Sequence, residues 1–350
     1  MSKKKDKTKK NGITVLIGLI VVAIIVIVHE WGHFITAKLT GMKVEEFAVG
    51  FGPVLWSIKK GETLYSFRIF PLGGFNKIMG MDREYTEDPR AFSNRQVWQR
   101  LLVISAGAIC NIALAFIIFS GIIWSTGVET FPDKPIIGAI ATDSPALKSG
   151  LQVGDVITSI DNHKIAKWSD ILGILQGKEN TALEIFIVRD GIEKAITIIP
   201  EIRDERAVLG ISPQLEKQSV TLSQAIQLGF EKCIKDFIAI GEGLSSMILG
   251  NNTAQVAGPI GVARLAGTIA NHGMIPLLMF VAILSLNLGF LNLLPIPLLD
   301  GGLLLLTILE GICRKPLPNK VLFYIQCTGI FILGGLFLYA TINDITALFK

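Results

Sequence analysis

The sequence predicts an α-helical polytopic membrane protein with four transmembrane helices, a membrane-associated β-hairpin and an inserted α/β domain. Three observations carry that class. Half of the 350 residues are hydrophobic and only 18% are charged, a balance foreign to an ordinary soluble domain. Four apolar stretches, near 13–37, 101–127, 273–299 and 321–343, reach the roughly 20 residues a helix needs to cross the hydrocarbon core. Between the second and third, the pattern changes to short apolar strands separated by Gly-rich turns.

The first stretch follows MSKKKDKTKK and begins like a signal peptide. No small-residue cleavage site follows, and removal would discard the HEWGHFITAK that continues the run, so the segment is expected to remain as a span. Residues 38–100 are too polar to span. Within them, Thr63 to Phe70 alternates as a strand does and leads into the turn sequence Pro71, Leu72, Gly73 and Gly74, which predicts a β-hairpin near the membrane surface. Residues 221–250 show helical spacing through Phe230, Phe237, Ile238, Leu244 and Ile248, before a Gly-Asn stretch at 250–252, and are expected at the interface. The third stretch holds Pro276, Pro295 and Pro297. Prolines at membrane depth are tolerable where freed backbone groups line an enclosed polar site, so its C-terminal end is expected to unwind. The organisation is therefore a first membrane half at 1–127, the inserted domain at 130–213, an amphipathic connecting region at 214–272 and a second membrane half at 273–350.

The net charge of +4 gives no argument for a nucleic-acid partner. Cys110, Cys233, Cys313 and Cys327 lie too far apart for a disulfide framework or a cysteine zinc cluster. With four spans, the first and third run in the same direction and end on one side of the bilayer. Basic residues crowd the loops of that side, from Lys38 to Arg100, including Arg83, and from Arg314 to Lys320, which reads as cytoplasmic and puts the inserted domain outside. The six lysines of the first ten residues oppose that count.

Chemistry concentrates at His29-Glu30-Trp31-Gly32-His33. On a helix, imidazoles four residues apart project from one face toward one metal, with Glu30 beside it. A carboxylate there can take the proton of a water that attacks a peptide carbonyl. A catalytic zinc needs a third protein ligand, and Asp300 is the candidate, ending the uncharged run from Gly273 to Leu299. Shared direction of spans one and three brings it to the depth of the histidines. The alternatives are a polar helix cap for His29, Glu30 and His33, and a turn residue before Gly301 and Gly302 for Asp300. Ionisable groups in a membrane helix are costly and mark function, which favours the metal. His163 and His272 read as solvated or structural.

The segment SPALKSGLQVGDVITSIDNHKI resembles a PDZ domain, with Val208, Leu209, Gly210 and Ile211 as the peptide-carboxylate loop and strand of a permuted form. Nearly all of the chain resembles the site-2 protease family, in its RseP-like branch with a single PDZ domain. The resemblance rests on HEWGH, on Val49-Gly50-Phe51-Gly52-Pro53, on Pro71-Leu72-Gly73-Gly74-Phe75, on Gly258-Pro259-Ile260-Gly261 and on NLLPIPLLDGG at 292–302. It implies a zinc-dependent intramembrane endopeptidase of the bacterial plasma membrane. His29, His33 and Asp300 would be the Zn2+ ligands, Glu30 the general base and Asn292 a substrate-binding residue. A hairpin at 44–80, with Gly73 and Gly74, would pair with unwound substrate. The partners implied are the lipid bilayer, single-span membrane proteins such as anti-sigma factors or signal-peptide remnants, and a peptide or substrate ectodomain on the extracytoplasmic PDZ domain. Two departures stand out: one PDZ signature where tandem domains are common, and Ala106-Gly107-Ala108-Ile109-Cys110-Asn111 without the proline often found after Ala-Gly. The competing readings are a non-enzymatic PDZ membrane adaptor and a secondary transporter, neither of which requires HExxH opposite an aspartate.

Overall fold

The computed structural model of the chain describes residues 2–82, 86–130, 134–203, 206–250 and 258–346. Arg83 and residues 251–252 lie outside them. The chain divides into two compact units, one formed by residues 1–122 with 222–350 and the other by 123–221.

The first unit opens on α1 (Ser2–Leu39), of which Leu16–Leu39 is long and apolar enough to cross a membrane. Strands β1 (Val44–Lys60) and β2 (Thr63–Ile78) follow and pair antiparallel. Both bend. Residues 46–49 of β1 face residues 64–67 of β2 as well as 74–77, while 54–60 return along 63–68. The bend in β1 falls at Gly50 and Gly52, whose φ of +91° and +84° suit glycine, and a side chain at Gly50 would sit 2.7 Å from the Phe70 carbonyl. Arg68 pins the fold by donating to the Gly52 carbonyl at 2.9 Å and to Glu46 at 2.7 Å. The expected turn at Pro71 to Gly74 is instead a bend inside β2, because Gly74 and Phe75 resume pairing with Val49 and Ala48. The outer part of the pair exposes Leu55, Trp56, Ile58 and Phe70. Helix α2 (Val97–Thr126) is the second candidate span.

The second unit is mixed α/β. It contains β3 (Val128–Thr130), β4 (Ile137–Ile140), α3 (Pro145–Lys148), β5 (Val156–Ile160), β6 (His163–Lys164), α4 (Trp168–Leu175), β7 (Leu183–Arg189), β8 (Ile192–Ile198), β9 (Glu201–Arg203), β10 (Arg206–Val208), β11 (Ile211–Pro213) and β12 (Glu216–Gln218). A four-stranded antiparallel sheet runs β6-β5-β7-β8, and β11 pairs with β4. Alternating residues Leu183, Ile185 and Ile187 of β7 point inward onto Ile157, Ile171 and Leu209. Ser144 caps α3 by accepting from the Leu147 N–H, with Pro145 at the first helical position.

Asp155 is a buried charge in this unit. Its carboxylate accepts from Arg189 Nε and Nη2, both at 2.7 Å, and from the Gln152 N–H at 2.8 Å. Burial alone would raise the Asp155 carboxyl; Arg189 and that backbone donor override it and hold it below the ordinary aspartate value. With the folded value below the unfolded one, the stabilisation is present above roughly pH 4 and is lost as pH falls through the folded value. Arg189→Leu is expected to cost about 3 kcal/mol of stability in denaturant titrations, by stranding a buried carboxylate. An unchanged acid limb of the unfolding profile in that variant would show that the pair does not govern it.

The chain then returns to the first unit through α5 (Leu222–Ile248), α6 (Pro259–Ala270), α7 (Met274–Leu293), α8 (Asp300–Cys313) and α9 (Asn319–Thr346). Met274–Leu293 and Lys320–Thr346 complete the set of candidate spans, so four described helices meet the length and apolarity needed to cross a membrane. Amphipathic α5 buries Cys233 with Phe119 of α2 and Leu286 of α7, packs half-buried Phe237 against them and exposes Phe230 and Ile238. Helix α6 packs on α1 where Gly18 lies against the Ala263 backbone; a Cβ at Gly18 would approach its oxygen to 2.1 Å. Asp344 of α9 caps α6 by accepting from the Gly258 and Gly261 N–H groups. As expected from its prolines, the third apolar stretch stops being helical after Leu293 and resumes as α8 at Asp300.

Candidate metal centre

Helix α1 sets His29 and His33 on one face, buried against α2. The close approach rests on two small residues: a Cβ at Gly32 would lie 2.5 Å from the Ala106 carbonyl, and one at Gly107 would lie 2.3 Å from His33 Nε2. Each ring turns Nδ1 toward α2. His33 Nδ1 donates to the Val103 carbonyl at 2.8 Å, and His29 Nδ1 lies 3.4 Å from the Asn111 amide. That amide's Oδ1 is buried without a partner among the described residues, so the orientation in which Oδ1 accepts the Nδ1 proton satisfies both groups.

The Nε2 atoms are left to face each other at 3.1 Å, and Asp300 Oδ2 lies 3.1 Å from one and 3.3 Å from the other. Asp300 reaches this point through a tight reversal. Side chains at Gly301 and Gly302 would collide with the Leu294 and Ile296 carbonyls at 2.1 and 2.3 Å, and the Gly302 and Leu303 N–H groups bond the Leu299 carbonyl. The residues Leu-Leu-Asp-Gly-Gly are thus a steric solution for presenting one carboxylate.

Zinc fits these residues. Ligand atoms about 2.0–2.1 Å from a tetrahedral zinc lie roughly 3.3 Å apart, close to all three separations found here. Asp300 Oδ2 is buried and makes no well-formed hydrogen bond among the described residues, so the three atoms converge on a point rather than satisfy one another. Two imidazoles fixed through Nδ1, with a carboxylate, could hold zinc as a three-ligand set of the kind that leaves a fourth position open.

Glu30, adjacent to His29, is covered by β2. Asn76 Nδ2 donates to the Glu30 carboxylate at 2.7 Å and to its main-chain carbonyl at 2.6 Å, and a Cβ at Gly74 would lie 3.3 Å from Glu30 Cγ. Gly73, at φ +118°, sits against the Phe51 ring. Asn292 is nearly buried on the last turn of α7. A cavity of about 270 Å³ beside Asp300 is lined by Met81, Asp82, Leu299, Leu303, Leu322 and Gln326 among others. Of the residues expected from sequence, His29, His33, Asp300, Glu30 and Gly74 come together. Leu209, Gly210 and Ile211 belong to the other unit, where Leu209 enters the core, Gly210 has φ +77° and Ile211 pairs with Ile140. Gly107, Asn76 and a contact for Asn111 were not expected.

Residues 17–336 match peptidase family M50. The chain belongs to that family. This M50 peptidase is 34% identical over 334 residues to an inferred zinc metalloprotease of Clostridium acetobutylicum, with 95% of this chain and 97% of the relative covered. It is 28% identical over 419 residues to the regulator of sigma-W protease RasP of Bacillus subtilis, covering 96% and 99%. Among solved structures, the PDZ domain of an SdrC-like protein from Listeria monocytogenes is similar to a quarter of the chain, at 19% identity, 93% coverage of that domain and a TM-score of 0.22. The M50 peptidase is a zinc-dependent metalloprotease and a multi-pass membrane protein. That activity removes the adaptor and transporter readings.

Gly107→Ala tests the crowding at the centre. The added methyl has no room beside either imidazole and should weaken zinc binding by more than the about 10- to 100-fold typical of a lost outer-shell partner. Gly121→Ala, with nothing within 4 Å on the same helix, is the matched control. Equal zinc titrations for the two variants would refute the contact.

Proposed function

We propose that this metalloprotease is an intramembrane endopeptidase that cuts the transmembrane segments of single-span membrane proteins. The observation that carries this reading is the position of the convergent donors. Two lie on α1 within Leu16–Leu39, and the third opens α8 after the non-helical reversal that follows the apolar helix Met274–Leu293. In this reading His29, His33 and Asp300 would hold the zinc, which would supply Lewis acidity toward the scissile carbonyl and its water. Glu30 takes the proton of the attacking water and passes it to the leaving amine. Asn292 steadies the substrate carbonyl.

A helical peptide bond is shielded by its own backbone, so the substrate must unwind before it is cut. The bent β1–β2 pair, dipping into the membrane with its exposed apolar residues, receives the unwound segment by strand addition near Gly73 and Gly74. Residues 130–213 act as a PDZ domain on the extracytoplasmic side of a bacterial plasma membrane. There the backbone at Leu209, Gly210 and Ile211 takes a peptide terminus or substrate ectodomain. Anti-sigma factors and signal-peptide remnants are the substrates of choice, a reading encouraged by the sigma-W regulator among the relatives.

Reconstitution in lipid bilayers with single-span candidates, followed by mass spectrometric mapping of the products, tests the class. Cuts inside the apolar segment are expected; cuts confined to flanking loops would defeat the proposal. Deleting 130–213 should change which candidates are cut. Unchanged selectivity and rate in a folded variant would remove the screening role.

A further inference from the structure

We infer that Asn76 is a positioning residue for the reaction: its side-chain amide holds the Glu30 carboxylate in the orientation from which it takes the proton. The role rests on the reading of Glu30 as general base. One Nδ2 group reaches two oxygens of the same residue, the Glu30 main-chain carbonyl at 2.6 Å and carboxylate Oε2 at 2.7 Å. The orientation of the amide is unambiguous, because turning it over would set Oδ1 against two acceptors. Oδ1 itself is buried and unpartnered among the described residues. The amide is therefore held for its two donors.

Strand β2 delivers that amide to α1 by design of its neighbours. Asn76 pairs with Phe47 of β1, and Phe47 packs edge-on against Phe34 of α1, with centroids 5.2 Å apart. Gly74 leaves no side chain between β2 and Glu30. A glutamate has three side-chain torsions and would otherwise distribute its carboxylate over several rotamers. A general base works only within hydrogen-bond reach of its proton, so a fixed rotamer raises the fraction of productive encounters. Simple attachment of the strand to the helix would need only the bond to the main-chain carbonyl. The second bond, to the carboxylate, links Asn76 to the chemistry.

The test uses the full-length protein in bilayers, loaded with zinc, and a fluorogenic single-span peptide. Asn76→Leu, which keeps the branching at Cγ but has no donor, and Asn76→Asp, similar in shape but without the amide donor, should each lower kcat by about 10- to 100-fold, as loss of an outer-shell partner does. KM and zinc stoichiometry should stay at wild-type values, and Glu30→Gln combined with Asn76→Leu should be no slower than Glu30→Gln alone. A readout independent of turnover is the pair of Asn76 side-chain amide protons in nitrogen-15 spectra. In Glu30→Ala one of the pair should shift and exchange faster while the other, on the main-chain carbonyl, stays. Wild-type kcat in both Asn76 variants, a change confined to KM, lost zinc, or an amide pair indifferent to Glu30→Ala would each overturn the inference while leaving the base in place. Wild-type kcat in Glu30→Gln alone would instead remove the base on which it rests.

Discussion

Glu30→Gln is expected to keep its zinc and lose turnover by about 100- to 10,000-fold, the range that positioned general-base catalysis supplies. The amide is nearly the shape of the carboxylate. It leaves His29, His33 and Asp300, the three groups whose donor atoms converge, chemically untouched. Its neighbours also tolerate the change, since Asn76 can still donate to the remaining amide oxygen and to the main-chain carbonyl. Only the capacity to accept a proton from water and return it to the departing nitrogen disappears. Substrate should therefore enter and accumulate as a complex, visible by crosslinking between substrate and enzyme. Cleavage close to wild type, with zinc content and membrane insertion matched, would refute the role of Glu30.

The parts of this site that the sequence made legible were those with a chemical signature and a fixed spacing. HEWGH in an apolar helix determines the face on which two imidazoles meet. Asp300 was visible because it interrupts an uncharged stretch, and the prolines before it announced the break between α7 and α8. The four spans were read from apolar length, to within a few residues at most ends.

What remained hidden was close approach between elements distant in the chain. Gly107 looks like any small residue of a membrane helix, and only the packing of α2 on α1 shows that a methyl there would occupy the space of two imidazoles. Asn76 carries no signature in a strand. Its partner is set by the fold of β1 and β2, in which both strands bend and residues 46–49 gain neighbours on two sides. A local alternation pattern cannot encode a bend fixed by Gly50, Gly52 and Arg68, which is why the sequence points to a turn at Pro71 to Gly74 where the strand bends and goes on pairing.

Asp300→Ala should release the zinc and abolish cleavage while the four spans remain inserted. The expectation follows from separating what the side chain does from what holds its backbone. The reversal before α8 is kept by contacts that do not involve the carboxylate: Gly301 and Gly302 against the Leu294 and Ile296 carbonyls, and the Gly302 and Leu303 N–H groups on Leu299. Loss of an acidic residue from the first turn of α8 costs about 0.3–1 kcal/mol of helix-dipole stabilisation, too little to displace the helix. Removing the carboxylate also leaves only two imidazole donors, 3.1 Å apart, a pair that binds zinc far more weakly than three donors. Metal content per chain, measured on protein purified without added zinc, should fall well below one while expression and protease-protection patterns match wild type. Full zinc occupancy in the alanine variant would exclude Asp300 as a ligand. Zinc loss with intact cleavage of a transmembrane substrate would break the link between this centre and proteolysis.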